Sequence, residues 1–152
     1  MLSEGPADTT LPEADSEGAS APAMPCGLAS PTVLMVCTSC RRPGDDDALP
    51  RPGEDFTRAV RTAAEGSTVT VKGIRCLGNC SRGLSAALTR EGGWTYVFGG
   101  LDPDRDARAL VTGAELYAAA GDGFMPWRGR PDILKRGVVA RIPPLDFPGE
   151  PE

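Results

Sequence analysis

From Thr32 onward, short apolar runs alternate with polar, glycine- and proline-rich breaks, and their periods define the expected elements. "TVLMVC" (Thr32–Cys37) is a continuous β-branched run of the length of a buried strand. "TSCRRPGDDDALPRPG" is polar and broken by prolines, and reads as loop. In "GEDFTRAVRTAAEG", Phe56, Ala59, Val60, Ala63 and Ala64 recur at helical spacing, with acids in the first turn and Gly66 as the stop. "STVTVKGIRC" (Ser67–Cys76) reads as a second strand and "LGNCSRG" as a tight turn. "LSAALTR" and "WTYVFGG" then form a hairpin across the short "EGG". A second helix follows in "LDPDRDARALVTGAELYAAAG", with Asp102 or Asp104 as its cap and Ala107, Leu110, Val111, Ala114, Tyr117 and Ala118 as its core stripe. The remainder to Pro144 alternates anchors such as Phe124, Trp127 and Ile133 with basic residues. It is expected to be ordered but irregular, with a helical turn near Pro131–Arg136.

The order β-α-β-β-β-α predicts an α/β domain of thioredoxin-like type: a right-handed βαβ unit, a hairpin and a covering helix on a four-stranded mixed sheet. Residues 31–144 would form this domain. Residues 145–152 are expected to fray. Residues 1–30 carry no aromatic residue, no Lys and no Arg, and are mostly Ala, Pro, Gly, Ser and Thr. Such a segment buries too little apolar surface to offset its ordering entropy, so a disordered acidic tail is expected.

Charge sharpens this division. The five acids of the tail, Glu4, Asp8, Glu13, Asp15 and Glu17, account for the whole net charge of −5, leaving a body with 16 basic and 16 acidic residues. A balanced body argues against nucleic-acid binding, which draws on a clustered basic surface. No signal-peptide pattern and no apolar run of about 18 residues is present. The expectation is a soluble, cytoplasmic protein whose thiols stay reduced.

In that setting five cysteines point to metal or redox chemistry. Four form two close pairs, Cys37-x2-Cys40 and Cys76-x3-Cys80, while Cys26 falls in the tail and takes no role. Each pair follows the C-terminal end of a strand. If those strands are parallel, both pairs emerge at one end of the sheet and four thiols converge. Converging thiolates suit tetrahedral zinc or an iron–sulfur cluster. In "CLGNCSRG", Gly78 and Gly83 allow close backbone approach and positive φ, which can aim N–H groups at sulfur as a cluster wants; zinc knuckles are glycine-rich too, so both groups stay open here. A dithiol oxidoreductase working through Cys37 and Cys40 alone would leave the second pair unexplained. It would also want its helix to begin at the CxxC and a proline before the third strand.

The stretches "VCTSCR", "CLGNCSRG", "WTYVFGGLDP" and "PWRGRPDILKRGVVARIPP" resemble an uncharacterised family of small bacterial proteins described as metal-binding and often encountered beside cobalamin-synthesis genes. A more distant likeness runs to thioredoxin-like 2Fe–2S ferredoxins. Their second pair matches Cys76-x3-Cys80, whereas their first two cysteines are spaced more widely than Cys37 and Cys40. The resemblance implies Cys37, Cys40, Cys76 and Cys80 as ligands, and the leading expectation is that they hold one 2Fe–2S cluster. The chain would then act as an electron carrier or redox accessory protein with a redox protein as partner or, as the resemblance suggests, a corrinoid-pathway enzyme. The rival expectation is a structural zinc module mediating protein contacts.

Segment 124–142 holds Arg128, Arg130, Lys135, Arg136 and Arg141 against Asp132, a net of plus four. It reads either as a docking face for an acidic partner or polycarboxylate, or as a solvated face with local ion pairs. Trp94, Tyr96 and Phe98 alternate as core residues of a strand. The aspartates at 45–47 read as a charged loop tip rather than a cation site. With no histidine and no carboxylate pair in an apolar setting, no hydrolytic or transfer constellation is present.

Overall fold

The computed structural model describes residues 30–149. The expected acidic tail, Ser30 apart, and Cys26 lie outside the described residues. Nine elements follow in chain order: β1 (Val33–Cys37), α1 (Pro52–Ala63), β2 (Thr70–Ile74), a 3-10 turn at Cys80–Arg82, β3 (Ala86–Thr89), β4 (Thr95–Phe98), α2 (Asp106–Ala118), α3 (Asp132–Arg136) and β5 (Val138–Ile142).

The sheet order is β2-β1-β3-β4-β5. β1 and β2 run parallel, joined by α1, and every other pairing is antiparallel. This is the thioredoxin-like arrangement expected from the chain, with five strands rather than four. The added strand, β5, lies in the segment expected to be irregular. Val139 and Ile142 are substantially exposed on it, so it carries no alternation of buried and solvated positions. It forms because β4 offers a free edge, and Pro143 and Pro144 end it.

Register explains the core. Leu34 faces Leu88, Val36 faces Ala86, Ala86 faces Phe98 and Leu88 faces Tyr96, so one row of side chains crosses β1, β3 and β4 on one face. Phe56 and Val60 of α1 and Leu110, Val111, Ala114 and Tyr117 of α2 complete the same cluster. The expected stripe on α2 holds at its centre, while Ala107 and Ala118 at its ends are only partly buried. Tyr96 packs edge-on against Tyr117 at 5.9 Å, and its hydroxyl accepts the Met125 N–H at 3.0 Å. Trp94 is partly buried and Phe147 meets it edge-on at 5.3 Å, so the chain beyond Pro144 folds back onto β4.

α2 starts later than its expected cap. Its N-cap is Arg105, without a side-chain cap bond. Asp102 instead accepts the Asp104 N–H at 2.9 Å, and Asp106 accepts the Asp102 N–H at 2.7 Å. The aspartates build the turn before the helix instead of capping it. Among the described residues, no helix is long and apolar enough to cross a membrane.

Candidate functional site

Parallel pairing of β1 with β2 brings the two cysteine pairs to the same end of the sheet. Cys37 is the last residue of β1 and sits opposite Ile74, the last residue of β2; Cys76 follows Ile74 by two positions. The Thr38 N–H donates to the Ile74 carbonyl at 2.8 Å, and the Thr38 hydroxyl to the same oxygen at 3.1 Å. The Ser39 hydroxyl donates to the Arg75 carbonyl, which the Cys37 thiol also reaches at 3.7 Å. The first pair is therefore stitched to the chain that leads into the second.

The N-terminal end of α1 closes over this loop from the other side. The Gly53 N–H donates to the Cys40 carbonyl at 3.2 Å, and Arg51 donates to the Ser39 carbonyl at 2.7 Å. The approach is close enough that a Cβ at Gly53 would lie 2.5 Å from the Cys37 carbonyl oxygen. Although Pro43, Gly44 and three aspartates intervene, α1 still abuts the CxxC. The intervening loop is tied down by Arg41, which donates to the carbonyls of Asp46, Asp47 and Leu49 and pairs with the Asp47 carboxylate at 3.3 Å.

The two pairs differ in exposure. Cys37 and Cys40 are 2% and 4% exposed and belong to the core cluster, whereas Cys76 and Cys80 are exposed. Burial by itself pushes the Cys37 thiol up. The Cys40 thiol, the Leu77 N–H and the Ser39 hydroxyl and N–H together outweigh it and hold Cys37 below the ordinary thiol value. At Cys40 burial dominates, the Cys37 thiol reinforces it, and the thiol is pushed up to about 11 despite the Ser85 N–H and hydroxyl beside it. In the second pair, the Gly78 N–H donates to the Cys76 sulfur at 3.3 Å. Among the described residues, the Gly78 N–H is the one backbone amide hydrogen-bonded to a cysteine sulfur.

Among the described residues, no three metal-ligating side chains lie close enough together to hold a metal ion. The donor set nonetheless fits a thiolate-bound group: four cysteines stand at one sheet end, with the Gly78 N–H on the Cys76 sulfur.

Gly78 takes the positive φ its turn requires, +73°. Gly83 does not: its backbone is extended, at φ −67°, and the Gly83–Leu84 peptide is cis. Glycine is needed there for room, because a Cβ would collide with the Arg41 carbonyl and lie 3.5 Å from the Cys40 sulfur.

Two further residues organise the site. Ser85 is fully buried, its carbonyl accepts the Cys37 N–H at 3.0 Å, and its hydroxyl accepts from Asn79 Nδ2 at 2.9 Å. Asn79 stands between Cys76 and Cys80, so the Asn79–Ser85 bond fastens the second cysteine turn to the wall of the first pair. The signal for Ser85 is a lone hydroxyl at the start of an apolar strand. Asn79 shows none beyond its place in the turn.

Most of the basic segment 124–142 serves the fold. The Arg130 guanidinium lies 5.5 Å from the Tyr96 ring centre and 5.4 Å from that of Trp127, and it donates to the Met125 and Pro126 carbonyls. Arg141 lies over Trp94 at 4.9 Å, and Lys135 pairs with Asp132 at 3.2 Å.

Residues 34–144 match the family described as "Protein of unknown function (DUF1636)". The chain belongs to this family. The DUF1636 match runs from β1 to the end of β5 and takes in both cysteine pairs. No curated protein matches the chain. Two solved structures are similar to it. One is a thioredoxin-like 2Fe–2S ferredoxin from Aquifex aeolicus, 18% identical, covering 81% of this chain and 96% of its own, with a TM-score of 0.49. The other is the wild-type thioredoxin-like 2Fe–2S ferredoxin from Aquifex aeolicus, 16% identical, covering 74% of this chain and 99% of its own, with a TM-score of 0.47.

Proposed function

We propose that Cys37, Cys40, Cys76 and Cys80 hold one 2Fe–2S cluster and that the chain is a small electron carrier. The observation that carries this reading is the arrival of both cysteine pairs at the shared end of β1 and β2, with the Gly78 N–H on the Cys76 sulfur. N–H groups aimed at sulfur stabilise thiolates and raise the potential of the group they ligate. Bound there, the cluster would supply one-electron transfer. The chain's own part is to hold Cys37 and Cys40 in the core, where α1 and Ser85 exclude water. It also presents Cys76 and Cys80 at the surface, where a partner can approach. That partner would be a redox protein or, on the family resemblance, a corrinoid-pathway enzyme.

The opposed shifts of Cys37 and Cys40 favour a second reading, a dithiol that reduces disulfides by attack of the Cys37 thiolate and resolution by Cys40. The burial of both sulfurs weighs against it, because a substrate disulfide must reach Cys37.

Replacing Cys76 with serine separates the readings. If a cluster is held, anaerobically purified Cys76→Ser protein loses the visible absorption of the parent and its reversible one-electron reduction. Unchanged colour, or insulin-disulfide reduction by metal-free parent and variant alike, overturns the assignment.

A further inference from the structure

A cleft of about 460 Å³ opens beside the first cysteine pair, its wall including Arg42, Gly83, Asp102, Arg105, Asp106 and Arg136. The three arginines come from three separate parts of the chain. Arg42 lies just after Cys40, Arg105 is the residue before α2, and Arg136 ends α3. A Cβ at Gly83 would lie 3.5 Å from the Cys40 sulfur, so Gly83 stands between the cleft and the first cysteine pair.

The charges in the cleft do not cancel. The Asp102 carboxylate is engaged by Arg105 at 3.0 Å and by the Asp104 N–H at 2.9 Å. The Asp106 carboxylate takes the Asp102 N–H at 2.7 Å. Arg42 reaches Asp45 at 3.6 Å, a loose pair with half the Arg42 side chain exposed. Arg136 enters no ion pair and no side-chain hydrogen bond among the described residues. Three arginines therefore line a space with two aspartates, a lining charge of plus one, and Arg136 is the arginine whose donors are left unused. A guanidinium fork matches the planar or tetrahedral oxygens of carboxylates and phosphates, and the volume suits a small molecule.

We infer that this cleft binds a small oxyanion, a phosphate ester or a carboxylate, with Arg136 as its principal donor and Arg42 as a second. No cysteine lines the cleft, and Gly83 brings a bound anion next to the Cys40 wall.

The test is an amide NMR titration of the full, metal-free chain with inorganic phosphate and, separately, citrate, at constant ionic strength. The expected result is saturable shifts at Gly83, Gly100 and Leu101 for at least one of the two, with a dissociation constant of about 1 mM or tighter. A preference for phosphate marks a phosphate-ester ligand and a preference for citrate a carboxylate. Arg136→Gln should weaken binding about tenfold, the loss of one charge-assisted donor. Arg128→Gln, in the same basic segment but outside the cleft, should leave it unchanged. Absence of saturation with both anions, or equal loss in the two variants, overturns the inference. Arg136 is exposed, so its replacement leaves the core intact.

Discussion

The two cysteine pairs stand at the same end of the sheet, yet the fold treats them oppositely. Cys37 and Cys40 are core residues, packed in the cluster that contains Phe56, Leu84 and Phe98 and walled by Ser85 and α1. Cys76 and Cys80 sit on an exposed turn held by the Gly78 N–H and the Asn79–Ser85 bond. One half of the candidate site is thus formed by folding itself. The other half is held by a few polar contacts that cost little to rearrange, and it is the half that a bound group would order.

The largest way to break this contrast is through the core. Phe56→Ala should cost about 3–5 kcal/mol in urea unfolding and open Cys37 and Cys40 to alkylation while leaving the rate at Cys76 unchanged. Equal acceleration at all four cysteines would show the two halves to be one unit.

Gly53→Ala acts on one half only. Its Cβ would meet the Cys37 and Thr38 carbonyl oxygens at 2.5 and 2.7 Å, both backbone atoms, so α1 must lift off the CxxC loop. A destabilisation of about 1–3 kcal/mol is expected, measured by urea or thermal unfolding.

Ser85→Ala tests the link between the halves. It removes the hydroxyl that receives Asn79 and leaves Asn79 Nδ2 with only the Arg82 carbonyl, at 3.4 Å. A cost of about 1–2 kcal/mol is expected, with faster alkylation of Cys80. Ser85→Thr, which keeps the hydroxyl, should restore the parent rate.

The smallest effect is a pH dependence of the metal-free protein. The folded Cys40 thiol holds its proton to about 11, above the ordinary value of 9.0. Its contribution to stability is therefore full below pH 9 and is lost as pH rises through about 11. Cys37, held below the ordinary value, has the opposite sense: its contribution is present above pH 9 and lost as pH falls through its folded value. Stability should decline between pH 9 and 11, and Cys40→Ala should flatten that decline; an unchanged slope would mean that other groups set it.

Legibility in the sequence followed local pattern. β1, α1, the hairpin and the stripe of α2 carry their own periodicity, and the place of both cysteine pairs at one end of the sheet follows from parallel pairing of two strands. β5 was illegible because Val139 and Ile142 are exposed, none of its residues is fully buried, and its existence depends on the open edge of β4. The helix start at the CxxC was obscured by the polar loop from Arg41 to Arg51. Only the folded chain shows Arg41 gathering that loop's carbonyls and α1 returning to Cys40. The basic residues Arg130 and Arg141 read as surface charge in one dimension, yet they lie on aromatic rings in three. Contacts between residues far apart in sequence leave no periodic trace.

The most direct test of the central claim is the visible spectrum of anaerobically purified protein together with its iron, acid-labile sulfide and zinc content. The expected result is brown protein with about two irons and two sulfides per chain. Colourless protein carrying about one zinc per chain would contradict it and make the four cysteines a structural clamp.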